Sequence, residues 1–230
     1  MTEIASVHLE TVLSLTPETP QLLIVESPQQ FYNTVSVLNG QMAGEDGEFV
    51  FSEEGKEISP GKAGEIVTDL FNFDLNDKKI ITLLYKKLEK NFNNGELIVK
   101  FNELNSFAVN FLEDLFFDVP FSLSYEEVGV TDYLKFYSVK IEKNYENFLE
   151  KIICYINILV ELKCCRFVIF VNLKSFLSDG DLLMLYSHCL KEKVSLLLIE
   201  SSVLRPVLPE EKAVIITEDL CEILVNYDQM

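Results

Sequence analysis

Two short stretches decide the fold: RFVIFVN at residues 166–172 and VSLLLIE at residues 194–200. Each is a nearly continuous apolar run that ends in a polar residue. Such runs are typical of strands in a parallel sheet whose two faces are both covered. Three further segments have the same character and are expected to join this sheet: Leu22–Glu26, Ile66–Thr68 and Ala213–Thr217.

Helical patterns separate these strands, at Pro28–Leu38, Lys78–Phe92, Asn144–Lys163 and Asp179–Lys191. Strands and helices alternate at both ends of the chain, whereas residues 96–163 are expected to be helical except near Pro120. This order predicts an α/β head, residues 1–90 and 164–230, and an inserted α-helical leg, residues 91–163.

Two segments lie outside this alternation. Residues 5–15 alternate weakly and predict a short hairpin before Pro17 and Pro20. Residues 41–60 contain six acids, one lysine and several glycines, and are expected to form an exposed loop or hairpin.

The charge of the chain restricts the possible partners. The 37 acidic residues exceed the 19 basic ones and give a net charge of −18. A nucleic-acid binder is usually basic, because neutralising phosphates supplies most of its affinity. DNA binding is therefore compatible with this composition only if the lysines are concentrated on one surface.

Cysteine usage and hydropathy favour the cytoplasm. The chain has no apolar run long enough to span a membrane, and its N-terminus lacks the basic region of a signal peptide. The five cysteines form no C-x-x-C pair, so a disulfide framework or a zinc site is not expected.

No nucleotide-binding motif follows the first strand. A P-loop needs glycines and a lysine between the strand and the next helix. Residues 26–30 read ESPQQ and contain neither, and the glycines of residues 55–63 are one position too far apart. Nucleotide binding is therefore not expected.

Polar residues stand at the ends of four predicted strands: Glu26, Asp69, Asn172 and Glu200. Clustered carboxylates at that edge of an α/β sheet could hold a metal, and equally they could cap the following helices. The second interpretation is favoured, because no other catalytic group accompanies them. His188 and Cys189 are adjacent on a helix, so their side chains diverge and do not form a nucleophile–base pair.

The predicted helix at Lys78–Phe92 carries the clearest basic feature. Lys79, Lys86 and Lys90 fall within about 40° of one another at helical spacing, opposite the apolar face, and Lys78 and Lys87 flank them. From the residues alone, a solvated helix face explains this stripe slightly better than contact with DNA. The acids Asp118, Glu126, Glu127 and Asp132 are similarly divided between a calcium site and a wet surface.

Three blocks of the chain resemble the Csn-two family of type II-A CRISPR spacer-acquisition proteins. They are Glu65–Asn76 with the helix that follows, Arg166–Asn172 with Phe176–Leu177, and Val194–Glu200 with the closing segment 213–224. The specificity lies in the order and spacing of all blocks, since no single motif is diagnostic.

The resemblance implies a P-loop-like head without a functional nucleotide motif, plus a helical leg. It further implies a non-enzymatic homotetrameric ring that binds linear double-stranded DNA ends in its channel, with calcium supporting the assembly. The implied partners are the CRISPR integrase complex and the RNA-guided effector nuclease. On this basis the expected DNA contacts are Lys79, Lys86, Lys87 and Lys90, and the expected calcium ligands are Glu126, Glu127 and Asp132.

Two other functions remain open from the sequence. The chain could be a metal-dependent hydrolase or nucleotide-binding protein that uses Glu26, Asp69 and Glu200. It could also be a protein-interaction scaffold.

Overall fold

Ten strands occur in the part of the chain that the computed structural model describes, residues 1–92 and 95–225. They are β1 (Thr2–Ala5), β2 (Leu13–Leu15), β3 (Gln21–Val25), β4 (Val50–Glu53), β5 (Lys56–Glu57), β6 (Gly64–Val67), β7 (Phe167–Val171), β8 (Ser195–Glu200), β9 (Lys212–Ile216) and β10 (Glu222–Val225).

The main sheet has six strands in the order β10-β9-β3-β8-β7-β6. Its four pairings from β9 to β6 are parallel, and only β10 is antiparallel to its neighbour. Every residue of β3, β7 and β8 is buried, as their continuous apolar runs predict. The expected fold class, α/β with a mostly parallel sheet, is confirmed. All five predicted strands are present within one or two residues of their expected bounds.

Seven α-helices and one short 3₁₀ turn, Leu173–Ser175, complete the described residues. The helices are α1 (Pro28–Ala43), α2 (Pro60–Ala63), α3 (Lys78–Phe92), α4 (Glu96–Phe116), α5 (Val130–Phe136), α6 (Phe148–Lys163) and α7 (Asp179–Glu192). Local chemistry fixes their ends. The Asn147 side chain accepts from the Glu150 N–H at the start of α6, and Gly44 ends α1 at φ 101°. Among the described residues, no helix combines the length and apolarity that crossing a membrane requires.

A second, antiparallel sheet has the order β2-β1-β4-β5. The expected hairpin near the N-terminus is present as β1 and β2, and residues 41–60 contain the β4–β5 hairpin. The expectation that this acidic segment is exposed is wrong for Phe49 and Phe51, which belong to the core. The Phe51 ring stacks on Phe167 of the main sheet, with ring centroids 5.7 Å apart.

The chain divides into two compact units. The first comprises Met1–Leu75 and the chain from Asn144 onward, and is called the head; the second, Asn76–Lys143, is called the leg. The boundaries expected from the sequence differ, because they place α3 in the head and α6 in the leg. In the structure α3 packs with α5, whereas α6 packs with α7 and buries Ile152, Ile156 and Leu159 in the head. The helical segment 96–163, expected to be interrupted only near Pro120, is interrupted twice, since residues 117–129 and 137–147 are not helical.

Candidate nucleic-acid interface

Helix α3 presents the expected basic stripe on the surface of the leg. Ile80 is buried, whereas Lys79, Lys86 and Lys90 are exposed and Lys87 is partly buried. The alternation of buried and exposed positions follows the helical period that the sequence indicates. The structure therefore brings three of the four predicted DNA contacts to the solvent along one helix face.

Side-chain hydrogen bonds hold α3 against the rest of the leg. The Tyr85 hydroxyl lies 3.1 Å from the carbonyl oxygens of both Leu134 and Val139, at the end of α5. The Asn76 side chain donates to the Ile141 carbonyl at 2.9 Å and accepts from the Ile141 N–H at 2.8 Å. These bonds tie α3, and Asn76 just before its start, to α5 and the non-helical segment after α5, so the lysines project from a supported helix.

The charge of the chain is distributed unevenly between the two units. Residues 76–143 contain nine lysines and eleven acids, so the leg carries a net charge of −2. The remaining residues therefore carry −16 of the total of −18. Nearly half of the 19 basic residues thus lie in fewer than a third of the residues, which is the concentration that DNA binding requires of so acidic a chain.

The expected calcium ligands are not gathered into a metal site. Among the described residues, no group of three or more His, Cys, Asp or Glu side chains could hold a metal ion. Asp132 instead accepts from the Gly129 N–H and pairs with Lys135, both at 3.2 Å. These bonds hold the pKa of Asp132 below its ordinary value, with the Lys135 hydrogen bond the largest cause. Glu126 and Glu127 are exposed and line a leg groove of about 630 Å³. The described residues of one chain therefore do not assemble a calcium site from these acids.

The strand-end residues act mainly as structural supports. Asp69 accepts from the backbone N–H groups of Phe71 and Asn72, each at 3.0 Å, and so caps the turn after β6. The Asn172 side chain accepts from the Ser201 N–H at 3.2 Å. Glu200 is buried and points beneath the 3₁₀ turn, where one oxygen accepts from the Lys174 N–H at 2.9 Å. Asp69 and Asn172 therefore satisfy N–H groups of loops, and the Asn172 side chain does not cap the 3₁₀ turn that follows it.

The His188–Cys189 pair has no geometry for nucleophilic catalysis. His188 lies 2.7 Å from the Asn157 side-chain oxygen on α6, and Cys189 is buried. Burial raises the pKa of the Cys189 thiol to about 12, so the thiol remains protonated at neutral pH. The two adjacent side chains diverge, as expected of neighbours on a helix.

A buried ionic cluster in the head is the main feature that sequence reasoning missed. The Lys174 ammonium bonds both carboxylate oxygens of Glu211, at 2.8 and 2.7 Å, and the Tyr186 hydroxyl donates to the same carboxylate at 2.6 Å. The Lys174 and Glu211 side chains are 4% and 0% exposed. No local pattern could predict the pair, because 37 residues separate its members.

Glu200 adds a second carboxyl group to this cluster. Its Oε2 atom is buried and has no hydrogen-bond partner among the described residues. Burial is the largest influence and raises the pKa of Glu200 to about 7, although the Lys174 N–H bond opposes the shift. Since one lysine faces two buried carboxyl groups, protonating Glu200 relieves the excess of negative charge.

Comparison with known proteins extends over most of the chain. Residues 41–220 match the profile of the family described as CRISPR-associated protein (Cas_Csn2). The CRISPR-associated protein Csn2 of Streptococcus agalactiae is 26% identical over 156 residues, which cover 66% of this chain and 68% of that protein. A nucleotide-free ATP-binding cassette from an ABC transporter is similar in structure, with a TM-score of 0.48 and 15% identity; it covers 96% of this chain and 90% of the cassette chain. The family match includes all of the leg and most of the head.

Proposed function

The chain belongs to the Cas_Csn2 family of CRISPR-associated proteins, and from this premise we propose that it binds linear double-stranded DNA ends during type II-A spacer acquisition. The binding form is a homotetrameric ring whose channel carries the lysines of α3. The CRISPR integrase complex and the RNA-guided effector nuclease are its functional partners. The protein binds DNA without cleaving it and does not turn over nucleotides.

The concentration of lysines in the leg carries the DNA-binding part of this proposal. A surface with net charge −16 repels phosphates at contact distance, even though salt screens the repulsion beyond about 8 Å. The leg has almost no net charge, and α3 gathers Lys79, Lys86 and Lys90 on one face. DNA is therefore attracted to the leg rather than to the head.

Apolar side chains on α4 support the self-assembly part. This 21-residue helix has no buried residue in the single chain. Six large apolar side chains on α4, and that of the residue directly after it, are 48–89% exposed: Leu97, Val99, Leu104, Phe107, Phe111, Leu115 and Phe117. Five of them, Leu97, Leu104, Phe107, Phe111 and Leu115, fall within about 80° of one another at helical spacing, and an exposed apolar face of this kind marks an interface. In a ring, the surface that covers these side chains belongs to a second copy of the chain.

The chemistry of the head supports binding rather than catalysis. The β3–α1 junction at residues 26–28 has neither the glycines nor the lysine that cradle phosphates. Asp69 is engaged in capping a turn, and Glu200 supports the 3₁₀ turn. The alternative of a hydrolase that uses Glu26, Asp69 and Glu200 gains no specific observation from these positions.

Replacing Phe107 and Phe111 with serine is expected to break the assembly. In light scattering, the wild-type protein should have four times the chain mass of 26.4 kDa, and the double variant a smaller mass. A matched control replaces Tyr32 and Met184, which are 70% and 63% exposed on helices of the head, with serine and should keep the wild-type mass. The same samples are then titrated with a labelled linear duplex, which the dissociated variant should bind more weakly. A monomeric wild-type protein, or an unchanged mass in the α4 variant, would reject this assembly.

A further inference from the structure

An open cleft lies in the head where β6, β7 and β8 end. Its volume is about 520 Å³. Three of its large apolar side chains face solvent: Phe71 is 75% exposed, Leu204 52% and Phe176 45%. We call it the carboxyl-edge cleft and define it by Asp69, Phe71, Asn172, Phe176, Ser201 and Leu204. Isolated exposed apolar residues are common, but three around one cleft mark an interaction site.

The most exposed ring of the cleft is held in place by several contacts. The Phe71 N–H donates to Asp69, and the Lys151 ammonium donates to the Phe71 carbonyl at 3.4 Å. The Phe71 ring meets Phe176 edge-on with centroids 5.2 Å apart. Because these contacts already restrict the ring, binding against it costs little additional conformational entropy.

The buried ionic cluster fixes the opposite wall of the cleft. Glu200 accepts from the Lys174 N–H, and Glu211 holds the Lys174 ammonium. Arg205 donates to the carbonyls of Lys174 and Leu177, on either side of Phe176. Buried ion pairs contribute little net stability but can select one conformation. Here the selected conformation is that of the 3₁₀ turn and Phe176 directly after it.

The charge at the cleft favours a basic partner. Asp69 lines the cleft, and hydrogen bonds led by that of the Asn72 side chain hold the pKa of Asp69 below its ordinary value. Its carboxylate therefore remains ionised at neutral pH. The residues outside the leg carry a net charge of −16, which disfavours phosphate-bearing ligands at this surface.

We propose that the carboxyl-edge cleft docks a partner protein through a short segment that packs an apolar side chain against Phe71 and Phe176 and places a lysine or arginine beside Asp69. This surface belongs to the head and uses none of the lysines of α3, so the inference goes beyond the proposed DNA binding. Rigid aromatic anchors with a charged neighbour are typical of the few residues that dominate protein interfaces.

Peptide selection on the full-length protein tests this inference. Random displayed peptides are selected on immobilised wild-type protein, and the recovered sequences are synthesised and titrated. They should combine an aromatic or aliphatic residue with a nearby lysine or arginine. Phe71→Ala should weaken their binding at least about tenfold. Asp69→Asn keeps an acceptor for the Phe71 N–H and should weaken binding about threefold to tenfold, with a smaller salt dependence.

Phe136→Ala is the matched control, because Phe136 is 80% exposed but belongs to the leg. It should leave peptide affinity unchanged. The inference is overturned if no recovered peptide loses affinity in Phe71→Ala, or if the peptides are rich in acids. It is also overturned if Phe71→Ala lowers the mass in light scattering, which would assign the cleft to a second copy. Weaker duplex binding in Phe71→Ala without an effect on peptides would assign it to DNA. Duplex affinity of the wild-type protein, measured in parallel, reports on the proposed function separately.

Discussion

Replacing Glu200 with glutamine is expected to remove a pH dependence from the stability of the protein. The pKa of Glu200 is raised to about 7 in the folded state, from an ordinary value of 4.5. Between these values the folded state binds the proton more strongly than the unfolded state. The contribution is therefore fully present below pH 4.5, and it is lost as the pH rises through about 7.

The measurable change in unfolding free energy depends on how much of the pH range from 4.5 to about 7 can be reached before the protein precipitates. The isoelectric point is about 4.5, so titration should begin at about pH 5.5. From there to about pH 8, the wild-type protein should lose about 2 kcal/mol of unfolding free energy through Glu200, at about 1.4 kcal/mol per pH unit up to the folded pKa. Glutamine retains an acceptor for the Lys174 N–H but cannot ionise.

Urea unfolding of both proteins across this pH range measures the difference. The free energy of unfolding of Glu200→Gln relative to the wild type should rise by about 2 kcal/mol from about pH 5.5 to about pH 8. Glu210→Gln removes an exposed carboxylate from the loop between β8 and β9 and should follow the wild-type curve. Parallel curves for the wild type and Glu200→Gln would mean that Glu200 does not titrate in this window.

Reversing the charge of the α3 stripe is expected to have the largest effect on DNA binding. Each phosphate contact contributes about 0.9 to the slope of log affinity against log salt concentration. Three contacts therefore correspond to about a 500-fold difference in affinity at about 0.1 M salt relative to about 1 M. Lys79→Glu/Lys86→Glu/Lys90→Glu should lose at least that much affinity for a linear duplex of any sequence. Its binding should also depend less steeply on salt, because fewer counterions are released.

A control with the same net charge separates local contact from overall repulsion. Both triple variants change the chain from −18 to −24, since each reversal removes two units of charge. The control reverses Lys56, Lys191 and Lys212, which are exposed in the head, and should lose far less affinity. Equal losses in the two variants would place the DNA contact outside α3, and an unchanged affinity in the stripe variant would exclude these lysines.

Much of the head could be predicted because its strands are local apolar runs. RFVIFVN and VSLLLIE become β7 and β8, in which all residues are buried, and each run carries that information within a few residues. Strand β4 was not predicted, because it lies among acidic residues that are typical of an exposed loop. The two buried rings, Phe49 and Phe51, were the sequence signal that could have indicated it. The short β10 has only three apolar residues in a row, Ile223–Val225, and two of them, Ile223 and Leu224, are about half exposed.

The candidate sites also differ in whether their residues are close together in the sequence. The stripe on α3 could be predicted, because helical periodicity fixes the relative directions of Lys79, Lys86 and Lys90. The cluster of Lys174, Glu211 and Glu200 could not, because residues distant in the chain meet only after β8 and β9 take their places in the sheet. The exposure of the apolar side chains of α4 could not be predicted either, because an apolar pattern does not distinguish a core within one chain from a surface that another chain covers.

The topology of the bound DNA tests the central claim most directly. A closed channel admits a duplex only by a free end, whereas an open groove accepts any duplex. Preformed wild-type assemblies should bind a linear fragment and fail to load on a covalently closed circle of the same sequence. Cutting the circle once should restore binding, and bulky adducts at both ends of the linear fragment should prevent new loading. Equal affinity for the closed circle and the linear fragment would contradict threading through a ring.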